Sequence, residues 1–139
     1  MTGNGEGSGL GHYILGQARN NFWSNHRLHK ACSALSRSEY FDARPSFFGS
    51  IHAHLDHIVF VDWLYLERLT GKSLLPTDIG EFLHPERASL MEDQSAADRA
   101  LIDFCQSADS EILVSTVTFK LLNGSQYTET AANVLAHLF

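Results

Sequence analysis

A chain of 139 residues, 44% of them hydrophobic, is long enough to bury the core of one domain, which excludes a wholly disordered polypeptide. The net charge is −6, with ten basic residues scattered among sixteen acidic ones, so a nucleic-acid-binding face is excluded. No apolar run reaches the ~20 residues of a membrane span and no basic-then-apolar leader opens the chain; with Cys32 and Cys105 far apart, a reduced cytoplasmic setting is expected, one disulfide being the alternative.

Residues 1–9, MTGNGEGSG, are glycine-rich and polar, and are expected to form a disordered tail ahead of a single domain over 10–139. From Leu10 to Leu35, apolar residues at Tyr13, Ile14, Ala18, Phe22, Leu28, Ala31 and Leu35 recur at helical spacing, and Ser36 and Ser38 mark a break. Trp23 is read as a core tryptophan and Asn21 and Asn25 as helix-surface amides, with the lining of a pocket mouth as the alternative.

Ser46 to Gly71 predicts the longest helix, roughly 35–40 Å. Phe47, Ile51, Leu55, Ile58, Leu66 and Leu69 form its apolar stripe, and Pro45 and Gly71 suit its ends. His52, His54 and His57 lie in its first half. His54 and His57, three apart, share a face, while His52 points elsewhere. Asp62 interrupts the stripe and needs a partner, because an unpaired buried charge is costly. His52 and Asp56 are read as surface or pocket-rim residues.

Lys72 to Arg87 holds two prolines and a short apolar patch and reads as a long crossover loop, with His84 facing solvent. Leu90, Ala97, Leu101, Phe104 and Cys105 predict a third helix from near Leu90 to Ala108. From Ile112 to Thr128 the period becomes that of a strand, and Asn123-Gly124 predicts a type I′ hairpin with Val117, Phe119 and Leu121 facing the protein. Thr128 or Thr130 caps a last helix, AANVLAHLF, with Val134, Leu135 and Leu138 inward. At roughly 15 Å it is short for a bundle member and is expected to be a helix cut in its middle. No nucleophile elbow of the GxSxG kind and no phosphate-binding glycine loop is present.

FFGSIHAHLDHIVFVDWLYLERLTG, residues 47–71, resembles the FFGSIHGTLNHxLxxDxxWLxRxTG segment of the DinB-like (damage-inducible) metalloproteins. Asn21, Trp23, Asn25 and Leu28 in NNFWSNHRL look like that family's YNxWANxxL, and VLAHLF at 134–139 resembles the start of its HLFNHQTHHRGQ block. The resemblance runs from about residue 12 to residue 139.

It implies an all-α, up-down-down-up four-helix bundle with a small β-hairpin before a truncated fourth helix. It also implies a divalent metal, zinc or nickel, held by one histidine of helix two and two of helix four. The activity implied is that of a hydrolase, or a thiol-dependent transferase or isomerase, on a small molecule or low-molecular-weight thiol. Carried onto this chain, the helix-two ligand falls on His57. The helix-four pair has no counterpart, and His137 matches a histidine one turn before it. One imidazole falls short of the three protein ligands usual for a catalytic zinc, so the metal site is expected to be incomplete here. Asp62 either bonds a ligand imidazole or, the favoured reading, caps buried backbone and tryptophan groups. A homodimer is expected from the family and from apolar surface left by the short last helix. Whether the chain is an enzyme stays open, the alternative being a non-catalytic, metal-free dimerising bundle.

Overall fold

The structure, a computed structural model, describes residues 9–139. The tail expected before the first helix lies outside the described residues, apart from Gly9, which opens that helix. The protein is mostly helical, with one small two-stranded antiparallel hairpin.

Helix α1 (Gly9–Ser33) buries Ile14, Ala18, Asn25, His29 and Cys32, a repeat of three and four that is apolar at its start and polar in its second half. The predicted stripe followed Leu28 and Ala31, which are exposed. The face turned inward is set by what packs against it, not by hydrophobicity alone. The break at Ser36 holds a further short helix, α2 (Arg37–Phe41), started by a reciprocal cap: Ser36 Oγ accepts from the Glu39 N–H and the Glu39 carboxylate accepts from the Ser36 N–H.

Helix α3 (Ile51–Thr70) begins later than the periodicity predicts. Gly49 takes a φ of 85°, which ends any helix running from Ser46, and Ser50 Oγ accepts from the Ala53 N–H as the cap. Phe47 is thereby left outside the helix and 93% exposed. Gly71, at φ 70°, closes the far end in the left-handed conformation, as expected. Helix α4 (Arg87–Ser107) follows the crossover and starts about a turn before Leu90.

Helix α5 (Ser110–Val114) stands where a strand was expected to begin, because Asp109 Oδ1 accepts from the Ile112 N–H and caps a single turn. Strands β1 (Thr116–Lys120) and β2 (Gln126–Thr130) pair with Thr116 opposite Thr130 and Phe119 opposite Tyr127. Their connection is not the predicted type I′ turn, which needs two positive φ angles. Gly124 alone is positive, at 81°, its N–H donates to Leu121 O, and the Leu121 N–H donates to Ser125 O. That pattern is a tight turn closed by a left-handed glycine. Val117 and Phe119 are partly covered as expected, whereas Leu121 is exposed. Helix α6 (Ala131–Leu138) is capped by Thr130, whose Oγ1 accepts from the Asn133 N–H, and it buries Val134 and Leu135.

Helix α4 packs on both α1 and α3, and α6 packs on α3 and α1. One apolar cluster joins Ile14, Ala18, Cys105, Leu113 and Leu135; another joins Cys32, Tyr40, Leu55, Val59, Leu90 and Ala97. In each long helix a buried polar position falls between its two apolar sets: Asn25 in α1, Asp62 in α3 and Asp98 in α4, with Gln94 one turn before Asp98 inside the second set.

Candidate functional site

The N-terminal half of α3 carries three histidines in three different situations. His52 is fully buried. Its Nε2–H donates to His84 O at 2.8 Å, which fixes the tautomer and leaves Nδ1 to accept from the Tyr40 hydroxyl at 3.3 Å. Burial lowers its pKa, against a smaller upward pull from the His84 carbonyl, so the neutral ring is favoured. His52 was expected at the surface or on a pocket rim. It is a core residue instead, tying α3 to α2 and to the crossover. His54 is half-buried and donates from Nδ1 to Ser50 O at 2.7 Å.

His57 is exposed and makes no hydrogen bond among the described residues. Its ring lies 4.2 Å from that of Phe48 and 6.4 Å from that of Phe60. It opens onto a groove of about 720 Å³ whose walls include Phe41, Phe48, Phe60 and Phe82, with Asp56 behind. Asp56 lines the groove but is buried, not at the surface: its two oxygens accept the Leu83 and His84 backbone N–H groups at 2.9 and 2.7 Å. It holds the crossover against α3. His84, expected in solvent, donates from Nε2 to Asp93 Oδ2 at 2.6 Å, and the Trp63 indole N–H donates to the same oxygen at 3.0 Å.

The histidine that matches the family's HLF motif lies elsewhere. His137 is exposed on α6 and stacks on Tyr65, ring centres 6.1 Å apart. Tyr65 is two turns along α3 from His57, ~12 Å at the helical rise. Among the described residues no three His, Cys, Asp or Glu side chains come together to hold a metal ion. Near the groove α3 offers the His57 imidazole, and Asp56 beside it has already committed both oxygens. Taken alone, this donor set does not fit a three-ligand zinc centre.

Asp62 finds a partner that neither sequence reading named. Gln94 Nε2 donates to its Oδ2 at 2.7 Å and to Asp98 Oδ1 at 3.1 Å. Asn25 and Asn21 donate to the same Asp98 oxygen at 2.9 and 3.4 Å. Desolvation raises the Asp62 pKa to about 7, and the neighbouring Asp98 adds to that, while the Gln94 bond opposes it. Asp98 is raised for the same leading reason. Asn25 is therefore an interior residue and not a surface amide. Trp23, read as core, is 55% exposed with the Arg27 guanidinium 4.7 Å from its ring centre. Gln94 and Asp98 were missed, although their position four apart between Leu90 and Leu101 marks them as polar residues on an apolar helix face.

Among the described residues no helix is long and apolar enough to cross a membrane. In comparisons with known proteins, the family profile described as the DinB superfamily matches residues 23–139. No curated protein matches the chain.

Proposed function

The chain belongs to the DinB superfamily, and from that premise we propose that it serves a divalent-metal-dependent enzyme acting on a small molecule, with His57 as one ligand of zinc or nickel. The reaction class proposed is hydrolysis, or a thiol-dependent transfer or isomerisation. One observation carries the reading. Of the α3 histidines, His52 has both ring nitrogens engaged and His54 one, whereas His57 has both free and faces an aromatic-walled groove large enough for a small substrate. Imidazole suits zinc and nickel, and phenylalanine walls favour the apolar part of a ligand. One imidazole is insufficient, so the reading requires further donors that the described residues do not bring to His57. The ring of contacts in which α1 meets α4, α4 meets α3, α3 meets α6 and α6 meets α1 supports an up-down-down-up four-helix bundle as the frame, with 71–86 as its long crossover. A cytoplasmic location is part of the proposal, in keeping with two unpaired buried cysteines.

Metal analysis of the purified protein after dialysis against zinc or nickel tests it. A divalent ion retained by the parent and lost in His57→Ala, with the helical circular dichroism unchanged, supports the reading. Equal metal content in the two proteins, or none in either, rejects His57 as a ligand.

A second reading, a metal-free, non-catalytic homodimer, is favoured by apolar side chains in solvent: Phe47 at 93% exposure beside Phe48, and Trp23 on α1. Sedimentation of metal-stripped protein at low micromolar concentration distinguishes it. A dimer that persists in chelator and in His57→Ala supports this reading, and a monomer under those conditions removes it.

A further inference from the structure

The polar layer between the two apolar clusters borders a second cavity, of about 410 Å³, between α1 and α4, lined by Phe22, Asn25, His29, Gln94, Ser95 and Asp98. Two side-chain atoms here are buried without any hydrogen-bond partner: Gln94 Oε1 and His29 Nδ1. Both residues are almost fully enclosed, at 1% and 6% exposure. Leaving a buried polar atom unpaired costs about 1–3 kcal/mol, so two in one place signal something that pairs with them.

The orientation of Gln94 is not arbitrary. Its NH₂ group donates to both Asp62 and Asp98, and a flip of the amide would set its oxygen against two carboxylates. The oxygen is thus the atom left over. On Asp98, the three bonds from Asn21, Asn25 and Gln94 all land on Oδ1, so Oδ2 is open to a further donor. Burial lowers the His29 pKa and favours the neutral ring, in which one nitrogen accepts. Both Gln94 N–H groups are committed, and Gln94 Oε1 and Asp98 Oδ2 remain as acceptors. Among the described residues no arginine or lysine forms an ion pair with Asp62 or Asp98. At the mouth, the exposed Lys30 and His26 are offset in part by Glu92.

We propose that this cavity is a binding site for a primary ammonium group, whose positive charge and three N–H donors match Asp98 Oδ2 and, on the same cavity lining, the buried unpaired Gln94 Oε1 and the His29 ring nitrogen that accepts in its Nε2–H tautomer. A water molecule offers two donors and no charge, and an anion meets carboxylates. A quaternary ammonium has charge but no N–H. The site lies on α1 and α4, distinct from the His57 groove, and does not rest on the metal reading.

Methylammonium chloride is the probe, with tetramethylammonium chloride and sodium chloride at equal ionic strength as references. Methylammonium is expected to raise the melting temperature saturably beyond both references, and Asp98→Asn, which keeps an acceptor for Asn25 and Gln94, is expected to weaken that response about tenfold or more. Side-chain amide resonances of Asn25 and Gln94 in the unmodified protein should shift with the same midpoint, which keeps the test decisive even where the variant folds poorly. An equal response to all three salts, resonances that stay put, or full binding by a folded Asp98→Asn protein overturns the proposal.

Discussion

Asp62 is the residue at which burial and charge conflict most directly. Its pKa rises from 3.8 to about 7 because the folded protein disfavours the ionised form. The sign follows: the unfolded chain gives up this proton near pH 4, the folded chain near pH 7. Stability held in full below pH 4 is therefore lost as pH rises to about 7, on the order of 4 kcal/mol for a shift of this size. The buried His29 and His52 act oppositely, since their lowered pKa values remove stability as pH falls below 6.5. Asp62→Asn isolates the carboxylate while keeping an acceptor for Gln94. Urea unfolding should show the variant gaining on the parent progressively between pH 4 and pH 7 and no further beyond; a difference constant across that range would mean that Asp62 is ionised throughout. That Asp62 breaks an apolar stripe is legible in sequence. Its partner was not, because Gln94 comes from another helix 32 positions away.

At the scale of elements, short-range capping decided the boundaries that periodicity left loose. Ser50 and Gly49 start α3, and Ser50→Ala should cost about 1 kcal/mol, read from the urea midpoint; an unchanged midpoint would place the start of the helix elsewhere. The crossover depends on one side chain. Asp56 accepts two backbone N–H groups, and an asparagine there offers one oxygen, leaving a donor unpaired at a cost of about 1–3 kcal/mol. Asp56→Asn should accelerate amide hydrogen exchange at Leu83 and His84 well beyond any effect in α1, and unchanged exchange at those amides would show that the strap is held by other contacts. Ile112, Leu113 and Val114 in α5 were expected as the start of a strand because three consecutive apolar residues look the same in either state, and the Asp109 cap is the reason the helical turn wins.

For the whole molecule, the polar layer separates two apolar cores, and their energetics should separate with it. Ile14→Val in one cluster is expected to cost roughly 0.5–1.5 kcal/mol and Val59→Ala in the other roughly 1–3 kcal/mol, with the double variant equal to the sum within about 0.5 kcal/mol. A larger departure would mean that the layer transmits packing strain. Sequence by itself determined the helical class, the long α3, the loop before α4, the hairpin and a threonine-capped last helix, because periodicity, turn glycines and caps act over a few residues. It also carried the DinB resemblance, through motifs on α1 and α3 that the family profile covers from residue 23 onward. Tertiary packing alone decided that His52 and Asp56 are interior, that His57 is the α3 histidine left open, and that Asn25, Asp62, Gln94 and Asp98 meet. Each of those outcomes depends on which helix face another helix covers, and a hydrogen-bond partner many turns away leaves no periodic trace in the chain that needs it.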